Sequence, residues 1–389
     1  MTEFHETGKR KRICVLPGDG IGADVMEHTL PIIDALKIPL DLEYGRIGWK
    51  CWEEEGEPVP SATWDAIQRC DTTLLGAITS KPVREAEAAL PPSLRGIGHK
   101  FTSPVIQLRQ RLDLYANVRP IVDILGNSGF KFTVIRENTE GLYSGLDFGC
   151  IPAEFEPLLQ KREAEGAPWV REGSNDAVLS VRLQTRRGLL RLFRFAFTYA
   201  QENNFHHVTF ADKPNVLRYS SAFARELLEQ VADEFPALSY SVDNIDAVAL
   251  WMVRRPERFG VIVAENMFGD ILSDLGAGVM GGLGLAPSAN IGEYKSYFEP
   301  VHGSAPSYAR LDKANPSAMF LTLALMLDYL GFRESAQIIS QAVRIVATSD
   351  IRTYDLNGQH GTRAVAEEII LTARTFHSSK HLPGDVINV

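Results

Sequence analysis

The sequence VIVAENMFGDILSDLGAGVMGGLGLAPSANIG, residues 261–292, combines a strand pattern, a helix pattern and a glycine-rich tail. The apolar run at 261–263 predicts a buried strand, and helical spacing follows it. Asp270 and Asp274 lie four residues apart in that helix, so both carboxylates project from one face. Two carboxylates this close repel each other unless a cation lies between them. The pair is therefore a candidate site for a hard divalent ion with oxygen ligands.

Spacing alone does not distinguish a metal site from a solvated helix surface, which is the commoner role of two aspartates on one helix. The context favours the metal site, because the pair follows a buried strand and precedes glycines rather than lying in a charged helix. Glycine lets a backbone or a ligand approach closely. The glycines after the pair are Gly276, Gly278, Gly281, Gly282 and Gly284.

The composition is that of a globular protein. The 389 residues suffice for one large or two modest cores, and 45% of them are apolar. A formal net charge of −9 disfavours a nucleic-acid partner. No signal peptide is recognisable after Met1, and the longest apolar run, 318–327, is too short for a membrane span and predicts a buried helix. Widely spaced cysteines without a CxxC pair indicate reduced thiols and a cytoplasmic protein.

Strand and helix patterns alternate in the first third of the chain. An apolar strand at 13–16 leads into PGDGIG, a strand pattern covers 40–44, Ser61 is a predicted helix cap, and a further strand is expected at 73–77. This alternation predicts an α/β fold with a mostly parallel sheet. Pro17 and the compressed glycine spacing break the GxGxxG fingerprint of a Rossmann dinucleotide site.

The sequence closely resembles the β-decarboxylating dehydrogenases, which act on isocitrate, homoisocitrate, 3-isopropylmalate, tartrate or D-malate. The resemblance runs from residue 13 to about 361, and its most specific phrases are LPGDGIG (16–22), LRQRLDLYANVRP (108–120), RENTEGLYSG (136–145) and ENMFGDILSDL (265–275). It implies a two-domain α/β fold with a large mixed sheet flanked by helices, and not a Rossmann fold.

The resemblance also implies domain boundaries and a dimer. Residues 13–114 and 281–389 would form a large cofactor-binding domain, and 115–280 a small domain for dimerisation and substrate binding. Residues 1–12 are expected to be a disordered tail. The polar stretch 148–178 lacks periodicity, which predicts a loop or an arm that clasps a second subunit. We expect a homodimer with shared active sites, and a higher oligomer stays open.

Arginines in an apolar frame point to a substrate anion. Arg109, Arg111 and Arg119 lie in such a frame, and the planar guanidinium binds carboxylate or phosphate with two parallel hydrogen bonds. Ordinary surface charge is the alternative, and it is our interpretation of Arg111. The resemblance implies that Arg109, Arg119 and Arg136 bind substrate carboxylates, so the substrate would be a small polycarboxylate.

The catalytic and metal-binding roles come from the resemblance. It implies that Tyr143 protonates the enol after decarboxylation, and that Lys213, from the second subunit, helps to remove the hydroxyl proton. Without it, Tyr143 would be a packing residue and Lys213 a surface charge. Asp243 would join Asp270 and Asp274 across the dimer to hold Mg²⁺ or Mn²⁺.

The cofactor stretch is FEPVHGSAPSYARLDKANP, residues 298–316. The resemblance implies a loop that binds the adenosine part of NAD or NADP. Ser307 replaces the acid or lysine that usually distinguishes the two cofactors, and the absence of a positive charge there favours NAD, although Arg310 and Lys313 follow closely. The implied cofactor-binding residues are His302, Gly303, Ser304, Ala305, Ser307 and Asn315.

Substrate choice depends on positions before Arg109. Ser103 matches the serine that isocitrate enzymes use for a third carboxylate, whereas Val105 leaves an apolar substituent possible. The cations Arg95, His99 and Lys100 upstream favour the third carboxylate. We therefore expect oxidative decarboxylation of a 3-substituted (2R)-malate, isocitrate or homoisocitrate, with 3-isopropylmalate or another apolar 3-substituted malate as the alternative. Two other classes remain open: a Rossmann 2-hydroxy-acid dehydrogenase, and a non-catalytic regulatory subunit of a heteromeric isocitrate dehydrogenase.

Overall fold

Most strands of the protein belong to one mixed sheet with helices on both faces. The computed structural model describes residues 10–126, 128–167 and 176–379. The strands are β1 (Lys11–Leu16), β2 (Leu40–Tyr44), β3 (Thr72–Leu75), β4 (Ala116–Val122), β5 (Lys131–Glu137), β6 (Asp147–Phe148), β7 (Leu179–Ser180), β8 (His207–Asp212), β9 (Ser239–Asn244), β10 (Val261–Ala264), β11 (Pro287–Ile291) and β12 (Ser296–Pro300).

The main sheet has ten strands in the order β2-β1-β3-β12-β11-β4-β5-β10-β8-β9, and β6 and β7 form a separate antiparallel pair. Strands pair in parallel except at the centre, where β11 is antiparallel to β12 and β4, and β4 to β5. The α/β class and the mixed sheet are confirmed. The antiparallel centre distinguishes the fold from the parallel sheet of a Rossmann domain.

The helices cover both faces of the sheet, and the core lies between helices and strands. They are α1 (Ile21–Thr29), α2 (Pro31–Ala35), α3 (Trp49–Glu55), α4 (Ser61–Arg69), α5 (Val83–Ala89), α6 (Pro104–Arg111), α7 (Glu156–Ala164), α8 (Arg186–Glu202), α9 (Arg218–Ala232), α10 (Ile245–Arg254), α11 (Asn266–Met280), α12 (Ser317–Tyr329), α13 (Arg333–Ala347) and α14 (Thr362–Ser379).

Burial explains which sequence patterns are visible. Helix α12 is buried from Ser317 to Leu327, which confirms the expected buried helix. Helix α8 is amphipathic, and its Phe193 packs edge-on against Phe210 of β8 with ring centroids 5.1 Å apart. No helix in the described ranges is long and apolar enough to cross a membrane. All four cysteines are free thiols.

Three local expectations need correction. Ser61 is the first residue of α4 rather than its cap, because Pro60 occupies the N-cap position and no side chain caps this helix end. The stretch 148–178 contains α7, which buries no residue and therefore shows no apolar periodicity in the sequence. The strand β1 begins at Lys11, so the tail expected for 1–12 is too long. Residues 1–9 and 168–175, in the expected tail and arm, lie outside the described residues.

Helix α11 packs flush against β5 because it has a glycine at the contact. The side chain of Glu265 caps the helix by accepting from Phe268 N at 3.3 Å. A Cβ at Gly269 would lie 2.7 Å from Cβ and 3.0 Å from Cα of Arg136. The backbone of Arg136 cannot move away, so only glycine permits this distance between helix and sheet.

We predict that Gly269→Ala lowers the free energy of unfolding by about 1–3 kcal/mol, because the methyl group overpacks against β5. The matched control is Gly278→Ala in the same helix, where a Cβ meets no atom within 4 Å. The control should raise stability by about 0.5–1 kcal/mol through helix propensity. Urea unfolding of both variants measures this, and equal midpoints for Gly269→Ala and the wild type would contradict the packing argument.

Candidate active site

A row of polar residues crosses the centre of the sheet. Tyr297 on β12 is paired with Asn290 on β11, Asn290 with Asn117 on β4, and Asn117 with Arg136 on β5. Directly paired residues point to the same face of a sheet. The face therefore carries four buried polar side chains, and Asn117 Nδ2 donates to Asn290 Oδ1 at 3.1 Å.

Arg136 is held between β5 and α11. Its side chain is 2% exposed, donates from Nη1 to Asp270 Oδ1, and donates from Nε and Nη2 to Asn266 Oδ1 at 2.9 and 2.7 Å. Burial, with Arg109 and Arg119 nearby, lowers the pKa of the Arg136 guanidinium. A buried cation needs a compensating anion, and Asp270 provides it.

Arg119 connects the sheet to the same helix face. It donates from Nε to Asn117 Oδ1 at 2.7 Å, and from Nη1 to Asp274 Oδ1 at 2.8 Å and Ser273 Oγ at 2.7 Å. Its Nη2 lies 3.5 Å from Asp270 Oδ1. The two aspartates singled out by spacing are therefore neighbours of two of the predicted substrate arginines.

The hydroxyl of Tyr143 meets this cluster at its open side. It donates to Asp270 Oδ2 at 3.1 Å, and the ring lies over Arg136, with Cζ 5.2 Å from the ring centroid. The tyrosine is 46% exposed. Burial and the Asp270 carboxylate raise the pKa of the Tyr143 hydroxyl. The phenol therefore stays protonated at neutral pH and can donate a proton.

Arg109 approaches from α6 on the far side of the row. It donates from Nε to Tyr297 Oη and from Nη2 to Glu299 Oε1, both at 3.2 Å. Glu299 Oε1 also accepts from Tyr297 Oη at 2.9 Å and Asn290 Nδ2 at 3.2 Å. One carboxylate oxygen thus fixes both Arg109 and the polar row that leads to Arg119.

Two predicted site residues lie elsewhere in the chain. Lys213 directly follows β8 and forms an ion pair with Asp246, while Asp243 lies on the edge strand β9 and accepts from Ser241 Oγ at 3.0 Å. Within the described part of one chain, no three His, Cys, Asp or Glu side chains lie close enough to hold a metal ion. Asp243 therefore does not complete a metal site with Asp270 and Asp274 of its own chain.

Asp270 and Asp274 on α11 provide the oxygen ligands that a hard cation requires. The side chains of Asp270 and Asp274 are 31% and 56% exposed, so carboxylate oxygens of both are accessible. A divalent ion prefers such oxygens. Asp270 and Asp274 therefore fit as two of the ligands, and the described part of the chain places no third His, Cys, Asp or Glu side chain beside them.

Ser103 and Val105 lie at the start of α6. Ser103 is the N-cap residue, and Ser80 Oγ donates to its Oγ at 3.0 Å. Val105 is half-buried and packs against the apolar cluster that contains Leu108. Arg95 donates to the carbonyls of Leu90 and Ala88 at 2.7 Å, so it stabilises the end of α5 rather than acting as a free cation.

The predicted cofactor loop is docked on the PGDGIG loop. Ile21 N donates to Ser304 O at 2.8 Å, and Thr79 and Ser304 share a hydrogen bond of 2.6 Å between their hydroxyls. A Cβ at Gly20 would lie 2.1 Å from Ser304 O, so this close approach requires glycine. Ala305 has φ 34, in the left-handed region, which turns the loop.

The same loop contains polar groups that a ligand can use. His302 Nδ1 donates to Gly303 O at 3.0 Å, and its buried Nε2 has no hydrogen-bond partner among the described residues. Ser307 is exposed at the loop surface. Asn315 is buried and already bonded to Asp355 and to the Ser317 amide, at 3.0 Å each. Its backbone, rather than its side-chain amide, is therefore the better candidate contact for an adenine.

Sequence reasoning missed the supporting polar residues. The available signal was a polar residue inside an apolar strand pattern, as in YANVRP, PSANIG and SYFEP. A buried polar side chain in a strand needs a hydrogen-bond partner. Arg111 is exposed as expected, and its guanidinium stacks over Trp64 at 3.9 Å. The missed residues are Asn117, Asn266, Ser273, Asn290, Tyr297 and Glu299.

The sequence model of the isocitrate/isopropylmalate dehydrogenases matches residues 12–370. The chain belongs to this family. It is accordingly a β-decarboxylating dehydrogenase, an oxidoreductase. Members of the isocitrate/isopropylmalate dehydrogenase family act on small carboxylates and in general use NAD or NADP with Mg²⁺ or Mn²⁺.

The names of individual relatives state different substrates, and one name states none. Protein DlpA of Legionella pneumophila is 51% identical over 361 residues, which are 92% of this chain and 58% of that protein. A 3-isopropylmalate dehydrogenase of Methanothermobacter thermautotrophicus is 37% identical, covering 93% of this chain and 98% of that protein. The crystal structure of an isocitrate dehydrogenase from Methylococcus capsulatus matches with a TM-score of 0.80 at 34% identity, covering 94% of this chain and 99% of that chain.

We predict that Glu299→Gln destabilises the protein by about 1–3 kcal/mol, because Arg109 loses the charge that compensates it and a neutral amide oxygen is a weaker acceptor for the three donors. Tyr297→Phe removes one hydroxyl of the same network and should cost about 1 kcal/mol. Urea unfolding measures both. A Glu299→Gln protein as stable as the wild type would contradict the central role of this carboxylate.

Proposed function

We propose that the chain catalyses the metal-dependent, NAD⁺-dependent oxidative decarboxylation of isocitrate or homoisocitrate. The observation that carries this proposal is the convergence of Arg119, Arg136 and Tyr143 on Asp270, with Arg109 at the other end of the same polar row. Guanidinium groups bind carboxylates, and a protonated phenol next to them can act as an acid.

The third carboxylate is supported by the start of α6. Ser103 and Ser80 present adjacent hydroxyl groups, which can bind a carboxylate. Val105, the residue that would favour an apolar substituent, packs against a core cluster instead. Lys100 is exposed and carries a charge in this segment, whereas Arg95 is occupied at the end of α5.

The residues of the chain divide the chemistry between them. The arginines orient the substrate carboxylates, and Tyr143 holds the proton that the enol receives after CO₂ leaves. Lys213 of a second copy accepts the proton of the substrate hydroxyl. When bound, Mg²⁺ or Mn²⁺ supplies Lewis-acid polarisation of substrate oxygens, and NAD⁺ supplies the hydride acceptor. Asp270 and Asp274, with Asp243 of the second copy, would hold the metal.

A homodimer is supported by an exposed apolar surface. The side chains of Leu250 and Val253 on α10 and Ile271 on α11 are 54%, 59% and 58% exposed. Large apolar side chains exposed together mark an interaction surface. Helix α11 also carries the metal aspartates, so a second copy docked here would lie next to the site. We also propose that the domains divide at residues 114/115 and 280/281 and that the protein is cytoplasmic. The arm at 148–178 would contact the second copy.

NAD⁺ rather than NADP⁺ is supported by the loop after His302. Ser307 brings no positive charge, and the Asp24 carboxylate accepts from Arg310 N at 2.5 Å in the following turn. The Asp24 carboxylate belongs to α1 and contacts this turn, and its negative charge disfavours an additional phosphate on the ribose. The exposed side chains of Arg310 and Lys313 act in the opposite direction, so the cofactor is best tested directly.

The assay is reduction of NAD⁺ and of NADP⁺ with Mn²⁺, using isocitrate, homoisocitrate, 3-isopropylmalate and D-malate. We expect the highest kcat/KM for a tricarboxylate with NAD⁺. A preference for 3-isopropylmalate would contradict the third carboxylate. No turnover of any of the four by the homodimer would instead favour a regulatory subunit.

We predict that Tyr143→Phe lowers kcat about 10²–10⁴-fold and changes KM little, because it removes the proton donor and leaves the arginines in place. Tyr294→Phe is the control, because Tyr294 is 84% exposed and lies in the turn between β11 and β12. Steady-state kinetics of both variants measure this. An unchanged kcat in Tyr143→Phe would exclude the proposed acid.

A further inference from the structure

A buried ion pair lies behind the strand end that leads to Lys213. Asp212, the last residue of β8, is fully buried and accepts from Arg182 Nη2 at 3.0 Å and from Ser221 Oγ at 2.7 Å. Arg182 lies between β7 and α8, and its side chain is 13% exposed. A buried carboxylate without its cation is strongly unfavourable. The pair therefore fixes the end of β8.

Lys213 is attached to this fixed point by a short turn. Its carbonyl accepts from Val216 N at 3.0 Å and from Leu217 N at 2.9 Å, which ties it to the start of α9. Ser221 of α9 is the second donor to Asp212. Displacement of Asp212 therefore moves Lys213 in two ways: through the chain itself, because Lys213 follows Asp212, and through α9, which contacts both residues.

Arg182 also approaches α11, so two routes from Arg182 to an active site must be compared. One runs through Asp212 and the end of β8, and the other runs through α11. Its Nε lies 3.7 Å from Glu265 Oε2, which is too long for a hydrogen bond, and its Cζ lies 5.4 Å from the ring centroid of Phe268. Among the described residues, Nε and Nη1 of Arg182 and Oε2 of Glu265 have no hydrogen-bond partner. Glu265 caps α11 through its other oxygen. The only direct hydrogen bond of Arg182 among the described residues thus goes to Asp212.

We infer that Arg182 is a positioning residue that acts through Asp212 to place Lys213 in the active site of a second copy of the chain. The inference rests on the proposed function, in which Lys213 serves the neighbouring site and Asp270 serves its own. It has an unusual consequence. A defect at Arg182 impairs the site of the neighbouring subunit and leaves the site of its own chain intact.

Homodimers of the variants give the first measurement. Arg182→Met should lower kcat about 100-fold, as expected for a reacting group displaced by about 1 Å, with little change in KM. Arg182→Lys keeps the charge and should recover part of the activity. The matched control is Arg194→Met, which removes an exposed pairing of arginine with Glu234 at 2.8 Å and should leave kcat unchanged.

Mixed dimers then separate the two modes of action. Chains with two different tags are co-expressed and purified as heterodimers. Arg182→Met paired with Asp274→Asn should regain about half of the wild-type activity, because one of the two sites is complete and the exposed Asp274 side chain is not needed for folding. Arg182→Met paired with Lys213→Met should regain no activity. Both substitutions affect the lysine that each chain donates to the site of its neighbour, so neither site is complete.

Each other outcome has a definite meaning. Recovery with Lys213→Met but not with Asp274→Asn would show that Arg182 acts through α11, and recovery with neither would indicate misfolding; both overturn the inference. The pair Lys213→Met with Asp274→Asn is the reference for shared sites. If it regains no activity although the wild type is active, sharing itself fails, and an inactive wild type would refute the proposed function instead.

Discussion

The structure depends on the compensation of two buried guanidinium groups by one carboxylate. Arg119 and Arg136 lie on adjacent strands at 7% and 2% exposure, and Asp270 lies between them. Charges removed from water need partners at hydrogen-bonding distance. The distance between α11 and the sheet is set by this need, and Gly269 makes that distance possible. The same carboxylate also accepts from Tyr143, so the ion pair orients the proposed acid.

Local patterns in the sequence predicted the elements of the fold well. Strand patterns identified β1, β2, β3 and β10, and the spacing of Asp270 and Asp274 placed both on one face of α11. The signal is strong there because burial imposes a period on the sequence. It failed for α7, which buries nothing, and for Ser61, where the preceding proline takes the capping position.

The active site could be predicted only in part, because its residues are connected through the pairing of strands that are distant in sequence. Arg109, Arg119, Arg136 and Tyr143 came from family phrases, and the structure brings them into one network. Glu299 and Asn290 connect that network, yet each appears in the sequence as a single polar letter in a strand. Their importance arises from register across four strands, which depends on long-range pairing and not on local spacing.

Lys213 and Asp243 form their contacts apart from the arginine cluster, which supports the proposal that the metal site is divided between two copies of the chain. Asp270 and Asp274 have accessible oxygens, but the described part of one chain offers no third ligand beside them. The helix that carries them also exposes apolar surface. Together these features favour a site that is completed by association.

Anomalous diffraction from crystals grown with Mn²⁺ tests this claim most directly. A shared site predicts an anomalous peak within coordination distance, about 2.0–2.6 Å, of carboxylate oxygens of Asp270 and Asp274 of one chain and of Asp243 of another. A Mn²⁺ peak coordinated by side chains of a single chain, or one away from Asp270, would contradict the shared site.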